Sequence, residues 1–202
     1  MFNSLLAGSE SFLSLSLAQL MGCIFWNINS IEDFQYTLTK NCYLGVSREH
    51  VVAVDPSRKS VLFSVASSAV IGWTFAENSA SFMLYFDQGE FINVKCRTVG
   101  ELQQVTKRLE YFTRGCRTLE LCLEKKDYGR LGFNIHHDGV VTEVEKYSLA
   151  YYRGLKQGTR ILKINDHYVI RLSHEEMIDI LRKSTCLKVT FLVPLEDGSC
   201  RR

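Results

Sequence analysis

Arg130-Leu131-Gly132-Phe133-Asn134-Ile135 is the stretch that decides how the second half of the chain folds. A glycine within a loop can adopt a positive φ, which lets consecutive backbone N–H groups converge on one anion. The following residues predict a strand in which Leu131, Phe133 and Ile135 alternate onto one side. The stretch therefore predicts an anion-binding loop, with donors at residues 131–133, that leads directly into a strand with an apolar face.

Two later segments accompany this stretch. One reads Ala150-x-x-x-Gly154-Leu155-Lys156-x-Gly158 and continues into an apolar strand that ends near Asn165. The other, Leu172-Ser173-His174-Glu175, predicts a helix over Ser173–Lys183 that begins at a capping box between Ser173 and Glu176. The three segments, in this order and at this spacing, resemble a PDZ domain from Leu119 to Pro194.

The PDZ resemblance implies a groove that binds the free C-terminus of a partner protein. An extended peptide would add as a strand beside Phe133–His137, with its carboxylate at the loop. In such domains a histidine in the first turn of the helix accepts a hydrogen bond from the hydroxyl of a Ser or Thr two residues before the peptide's end. His174 occupies that position in this sequence. The implied ligand ends in x-[Ser/Thr]-x-hydrophobic, and the implied peptide-binding residues are Arg130, Leu131, Gly132, Phe133, Asn134, Ile135, His174, Ile178 and Leu181.

Structural roles compete with these assignments. His174 also fits an exposed first-turn residue behind the Ser173 cap, and the apolar residues of the strand also fit ordinary core. His136 and His137 are expected to point to opposite faces of the strand, which argues against a metal pair. Three cations either assist the carboxylate or form a solvated run of charges: Arg130, Lys125 and Lys126.

The chain departs from the common PDZ pattern at three places. Thr159 stands where an Asp usually follows the glycine, and Arg130 replaces the first glycine of the loop. The Asp138-Gly139 pair predicts a very short, two-residue hairpin. These departures leave the groove in place but blur its peptide preference.

The first half of the chain shows short apolar runs separated by turn residues. The runs are rich in Val, Ile, Phe, Tyr and Trp, as strands are. Turns are predicted at Asp55-Pro56-Ser57 and at Asp87-Gln88-Gly89. The predicted strands are Tyr43–Val46, His50–Val54, Ser60–Val65, Ala69–Phe75, Phe82–Phe86 and Phe91–Lys95.

An amphipathic helix follows these strands. Thr98 and Glu101 predict a capping box at its start, and Gly115 is expected to end it as the C′ residue. Six strands before one long helix resemble the end of a PH-like fold, whose first strand must come from about Asp33–Thr39 or be missing. The expected fold class is therefore mainly β with helices (α+β): a PH-like meander plus helix, then a PDZ partly open β-barrel with two helices.

Residues 1–32 form an apolar N-terminal segment without charge from Ser11 to Ile28. Glu10 and the lack of Lys or Arg argue against a signal peptide, and the polar positions argue against a membrane span. A helix packed on the rest, a remnant of a larger domain or an alternative start is favoured; membrane roles remain an alternative. The predicted domains are 1–32, a PH-like domain 33–116, a PDZ domain 117–195 and a tail 196–202.

The composition excludes several function classes. A net charge of +2 gives no support to nucleic-acid binding. Seven cysteines without a C-x-x-C pair indicate reduced thiols in the cytosol rather than disulfides or zinc. The sequence lacks a phosphate-binding loop, H-E-x-x-H and G-x-S-x-G, so we expect neither enzymatic activity nor a cofactor or metal.

A closer resemblance comes from three segments: Ala69–Phe75, Tyr85–Gly89, and Leu131–Ile135 continuing into Asp138–Val141. They look like the signal-induced proliferation-associated 1-like proteins, which are Rap GTPase-activating proteins with a PDZ domain after the catalytic domain. In that family the catalytic domain precedes this region and supplies an Asn to the nucleotide site. We find no counterpart of that domain in this sequence.

The favoured function is a protein-interaction adaptor in Rap small-GTPase signalling, with C-terminal peptides of membrane or junctional proteins as partners. One alternative is a fragment of a Rap GTPase-activating protein whose catalytic domain is missing. The other is a phosphoinositide or membrane-surface module that uses Arg58 and Lys59 of the PH-like part. The expected location is the cytoplasm, at the cell cortex or on membranes through partners.

Overall fold

The computed structural model describes residues 20–32, 37–76, 79–125 and 130–202, and gives only the backbone of 37–40. Residue contacts divide the chain into two compact units: one runs to Gly115, and the other begins at Cys116 and includes the turn Asp87–Glu90. The predicted boundary, between 116 and 117, lies one residue from this division. Strands predominate over helices, so the chain is α+β, as predicted. No helix within the described ranges is long and apolar enough to cross a membrane.

Among the residues that the structure describes, seven strands and one α-helix build the first unit. The strands are β1 (Ile24–Glu32), β2 (Thr37–Val46), β3 (His50–Asp55), β4 (Ser60–Ala66), β5 (Val70–Phe75), β6 (Ser81–Phe86) and β7 (Glu90–Cys96), and the helix is α1 (Val99–Phe112). The strands follow the order β4-β3-β2-β1-β7-β6-β5, so β1 is the middle strand. This is the meander plus C-terminal helix that the PH-like resemblance implies.

Strand β1 contradicts the prediction for its part of the chain. The first strand was expected at 33–39 or not at all, and Ile24–Glu32 was assigned to the apolar segment. In the structure β1 pairs antiparallel with both β2 and β7, and Ile28 and Ile31 are fully buried. Trp26, Ile28 and Ser30 are buried and the residues between them are less so, which is the period of a strand; the alternation breaks at Ile31, beside an irregularity in the register. The lack of charge hid this period, because an uncharged apolar run also fits a buried helix.

Helix α1 begins as predicted but ends differently. The hydroxyl of Thr98 accepts from the Glu101 amide at 3.1 Å, and the Glu101 carboxylate accepts from the Thr98 amide at 3.2 Å. The helix stops at Phe112, and Gly115 is not a C′ residue with positive φ. Instead, a Cβ on Gly115 would lie 2.8 Å from the Trp73 ring. The glycine is required by a close approach rather than by helix termination.

The second unit holds the remaining elements. They are β8 (Cys116–Arg117), β9 (Leu119–Glu124), β10 (Phe133–Ile135), β11 (Val141–Val144), α2 (Leu149–Tyr152), β12 (Arg160–Ile164), β13 (His167–Tyr168), α3 (His174–Lys183) and β14 (Cys186–Leu192). One sheet has the order β13-β12-β14-β9, and β10 pairs with β11 in another. Leu123, Val141, Met177 and Leu187 are fully buried in the core between them.

The predicted two-residue hairpin is a three-residue loop. The Gly139 amide donates to the His136 carbonyl at 3.0 Å, and the His136 amide donates to the Val140 carbonyl at 2.8 Å. In this loop Gly139 has a positive φ and Asp138 does not, whereas a type I′ turn needs both. His136 and His137 lie outside β10 with ring centroids 3.9 Å apart, so the expectation that they face opposite sides is wrong.

The last residues of the chain fold back onto the second unit. Arg201 Nε donates to the Val193 carbonyl at 2.9 Å, and Arg160 Nε donates to the Arg201 carbonyl at 2.9 Å. The side chain of Arg160 is 1% exposed, so this carbonyl serves a buried guanidinium that has only donors. Residues 196–202, predicted as a tail outside the domain, are hydrogen-bonded to it.

Candidate peptide-binding groove

Gly132 gives the loop before β10 its shape. Its φ is +79°, a conformation that residues with a Cβ rarely adopt. The position is also crowded, because a Cβ on Gly132 would lie 2.0 Å from the Ser148 Cβ. The Ser148 hydroxyl donates to the Gly132 carbonyl at 3.3 Å. Backbone conformation and packing therefore both require glycine at this point.

Two carbonyls of the loop accept hydrogen bonds from backbone amides outside it, and these bonds fix the direction of the loop's own amides. The Leu131 carbonyl accepts from the Ala150 amide at 3.2 Å, and the Gly132 carbonyl accepts from the Glu145 amide at 2.8 Å. Across a trans peptide bond, the C=O and the next N–H point in opposite directions. The N–H of Gly132 therefore points away from α2, and the N–H of Phe133 points away from Glu145, which follows β11.

Strand β10 pairs along one edge. Its partner is β11, with Phe133 opposite Val144 and Asn134 opposite Glu143. In the part of the chain that the structure describes, no strand covers the other edge. An uncovered edge of this kind accepts an extended peptide as an additional strand. The outward amide of Phe133 is the first donor on that edge.

A groove of about 720 Å³ lies at this edge, between β10 and α3. Its apolar surface comes from Leu131 and Leu181, which are almost buried, and from the partly buried Phe133 and Ile178. The structure thus brings together seven of the nine sequence-predicted site residues: Arg130, Leu131, Gly132, Phe133, Asn134, Ile178 and Leu181.

The other two predicted residues do not line the groove. Ile135 is 7% exposed and belongs to the hydrophobic core. His174 is the exposed first residue of α3. It lies four residues before Ile178 and so shares its face of the helix. The Ser173–Glu176 capping box is present, with the Ser173 amide 2.8 Å from the Glu176 carboxylate, and it fixes the helix start beside His174.

Four charged residues complete the lining, and of these the sequence pointed only to Lys125, as a cation that either assists the carboxylate or is solvated. They are Lys125, Glu143, Glu145 and Arg182. Lys125 Nζ donates to the carbonyls of Leu181 and of Arg182, the latter at 2.9 Å. Its charge therefore stabilises the C-terminal end of α3, where a cation is favourable. Of the other cations considered for the carboxylate, Arg130 lines the groove and Lys126 lies outside the described residues.

The β10–β11 register explains why the acidic residues were missed. Asn134 Nδ2 donates to the Glu143 carboxylate at 3.1 Å across the strand pair. Only the register shows that Glu143 lies opposite a predicted site residue, and the irregularity between Asn134 and Ile135 hides that register in the sequence. A prediction that paired the two strands residue by residue from Phe133 and Val144 would have found it.

Comparisons with known proteins identify the family of this segment. The family model described as "PDZ domain" matches residues 120–193. The chain is 37% identical over 183 residues to signal-induced proliferation-associated 1-like protein 1 of Rattus norvegicus, covering 90% of this chain and 10% of that protein. It is 37% identical over 166 residues to signal-induced proliferation-associated protein 1 of Mus musculus, covering 80% of this chain and 16% of that protein.

Among solved structures, the chain is similar to the Dlg1 PDZ2 domain of the choanoflagellate Monosiga brevicollis, with 21% identity and a TM-score of 0.34 over 37% of this chain and 96% of that one. The chain spans about a tenth of the length of the 1-like relative it matches. Residues 120–193 belong to the PDZ domain family, and the chain as a whole is a relative of the signal-induced proliferation-associated 1 and 1-like proteins.

Proposed function

We propose that the groove between β10 and α3 binds the free C-terminus of a partner protein, and that the chain acts as an adaptor. The observation that carries this proposal is the loop at Gly132. The positive φ of Gly132, and the hydrogen bonds that the Leu131 and Gly132 carbonyls accept, turn backbone amides toward the groove. A bound carboxylate needs such hydrogen-bond donors. The uncovered edge of β10 supplies main-chain hydrogen bonds to the residues before that carboxylate.

The chemistry of the lining defines the proposed ligand. The terminal side chain is hydrophobic, because the surface nearest the loop comes from Leu131, Phe133, Ile178 and Leu181. His174, on the same helix face as Ile178, accepts a hydrogen bond from the hydroxyl of a Ser or Thr two residues before the end of the peptide. The proposed ligand is therefore a C-terminal peptide x-[Ser/Thr]-x-hydrophobic, with the C-termini of membrane or junctional proteins as natural sources.

We propose the pathway and the cellular location of the adaptor from the family relationship. The PDZ domain is non-catalytic, and we place the adaptor in Rap small-GTPase signalling, in the cytoplasm and at the cell cortex through its partners. We expect the chain alone not to stimulate GTP hydrolysis by Rap. A single-turnover hydrolysis assay with the full chain and Rap tests this, and any acceleration would show that the chain itself carries GTPase-activating function.

The binding test compares one peptide in two forms. A labelled peptide ending in Ser-x-Val is measured by fluorescence anisotropy with a free carboxylate and with a C-terminal amide, which removes the charge. We expect only the free carboxylate to bind. His174→Ala should abolish the preference for Ser over Ala two residues from the end, while Tyr111→Ser on α1 should leave it intact. Equal affinity for the acid and the amide would refute the proposed carboxylate site.

The phosphoinositide alternative uses Arg58 and Lys59. Arg58 Nε lies 3.8 Å from the carboxylate of Asp55, a weak surface pair at a side chain that is 77% exposed. The Ser57 hydroxyl donates a hydrogen bond to the Asp55 carboxylate at 2.6 Å. This bond and those from the amides of Ser57 and Arg58 lower the pKa of Asp55, although burial alone would raise it. The basic turn is thus organised around an internal anion.

A further inference from the structure

Three exposed tyrosines lie on α2 and in the turn before it. Tyr147, Tyr151 and Tyr152 are 75%, 47% and 72% exposed. Their rings form a chain, with centroids 6.0 Å apart for Tyr147 and Tyr151 and 5.7 Å apart for Tyr151 and Tyr152. None of the three lines the peptide-binding groove. They form a continuous aromatic surface on α2 and the turn before it.

Tyr147 is held in an unfavourable conformation. Its φ is +65°, and a bulky residue in the left-handed region costs about 1–2 kcal/mol relative to glycine. Burial does not repay this cost, because the side chain is 75% exposed. Strained residues that the fold does not need occur mainly at functional sites. The tyrosine is therefore unexplained by folding and points to a role at the surface.

Three cations flank the tyrosines in the sequence. Lys146, Arg153 and Lys156 are exposed, and residues 146–157 contain no Asp or Glu. No salt bridge within the described ranges uses any of the three cations. The nearest acidic residue in sequence, Glu145, lines the peptide groove instead. The surface is thus both aromatic and positively charged.

We propose that this aromatic–basic patch (Lys146, Tyr147, Tyr151, Tyr152, Arg153 and Lys156) binds the surface of a membrane that contains anionic lipids. Tyrosine is favoured at the boundary between lipid headgroups and water, because its ring is apolar and its hydroxyl is polar. The cations would meet anionic headgroups. Side chains that project from a four-residue helix suit a headgroup layer better than the shaped pocket of a protein partner. None of the residues of the patch lines the peptide groove.

The experiment measures co-sedimentation of the full chain with phosphatidylcholine vesicles, with and without phosphatidylserine. We expect binding only with phosphatidylserine, and weaker binding as salt is raised. Each of Lys146→Gln, Arg153→Gln and Lys156→Gln should lower the partition coefficient about fivefold. The matched control Arg58→Gln, in the basic turn of the first unit, should not. Absence of binding, equal binding to neutral vesicles, or an equal effect of Arg58→Gln would overturn the proposal.

Tyr147→Gly separates this role from folding. Glycine relieves the left-handed conformation, so the variant should be more stable than the original chain while binding anionic vesicles less tightly. Tyr111→Ser, at an 82% exposed tyrosine of α1, is the matched aromatic control and should change neither. Unchanged vesicle binding of Tyr147→Gly would refute the aromatic contribution. Binding to an acidic polypeptide such as polyglutamate, without binding to vesicles, would assign the patch to a protein partner instead.

Discussion

Replacing Gly132 by alanine should destabilise the second unit far more than the same change at Gly154. Both glycines have a positive φ, +79° and +84°, so both variants carry the cost of a Cβ in the left-handed region. That cost is about 1–2 kcal/mol, reduced by about 0.4–1 kcal/mol because alanine also restricts the unfolded chain. Nothing lies within 4 Å of a Cβ on Gly154, whereas a Cβ on Gly132 would meet Ser148 at 2.0 Å.

Relieving that contact requires Ser148 to move. Overpacking of this kind costs about 1–3 kcal/mol. The movement also disturbs the hydroxyl that caps α2 by accepting from the Tyr151 amide at 3.2 Å, a contact worth about 1 kcal/mol. We therefore expect a loss of about 1 kcal/mol for Gly154→Ala and about 3–5 kcal/mol for Gly132→Ala.

The assay must report on the second unit alone. Tryptophan fluorescence does not serve, because Trp26 and Trp73 both belong to the first unit. Hydrogen exchange of peptides from β12 and β14 gives the opening free energy of the second unit directly. Losses for the two variants that agree within about 0.5 kcal/mol would refute the role assigned to Ser148, since only the shared dihedral cost would then remain.

Three further outcomes are expected. Ile178→Ala should abolish peptide binding, measured by anisotropy, at a small cost in stability. Met177→Ala, at a fully buried residue outside the groove lining, should lower the free energy of urea unfolding by about 2–5 kcal/mol but leave the affinity of the folded fraction unchanged. Loss of binding in both variants or in neither would contradict the assignment of the groove. The lowered pKa of Asp55 stabilises the fold at pH values above its unfolded-state pKa of about 4, and this contribution is lost as the pH falls through the lower folded-state pKa. Asp55→Asn should therefore reduce the change in the urea midpoint between pH 5 and pH 3. An unchanged pH dependence of the midpoint would exclude this role of Asp55. Burial raises the pKa of the Cys96 thiol to about 12, so Cys96 should resist alkylation until the chain unfolds, whereas the exposed Cys186 should react. Mass spectrometry after brief alkylation measures both. Labelling of Cys96 in the native chain would show that the first unit opens readily.

The features that the sequence predicted well depend on local rules. The caps at Thr98 and Ser173 each satisfy helix amides with a side chain three residues away, so spacing alone identifies them. Gly132 could be predicted for the same reason, because a glycine before an alternating strand indicates a turn into it. The PDZ domain followed from three such local signals in the correct order.

The features that the sequence missed depend on long-range geometry. Strand β1 pairs with β7, more than sixty residues away, and nothing near Ile28 records that pairing. Lys125 could not be assigned without knowing that the end of β9 meets the last turn of α3. The left-handed conformation of Tyr147 is equally invisible, since tyrosine gives no sequence signal for a positive φ.

The return of the C-terminal residues onto the second unit determines where a soluble fragment can be cut. The family pattern ends at residue 193, and a fragment designed from it would remove the carbonyl of Arg201 from the guanidinium of Arg160. Arg160 would keep the carbonyl and the carboxylate of Asp138 as partners but would lose the acceptor of its Nε. A hydrogen bond to a charged group contributes about 1.5–3 kcal/mol, so we expect such a fragment to be less stable by about that amount. The folded domain therefore extends past its last recognisable strand and includes Arg201.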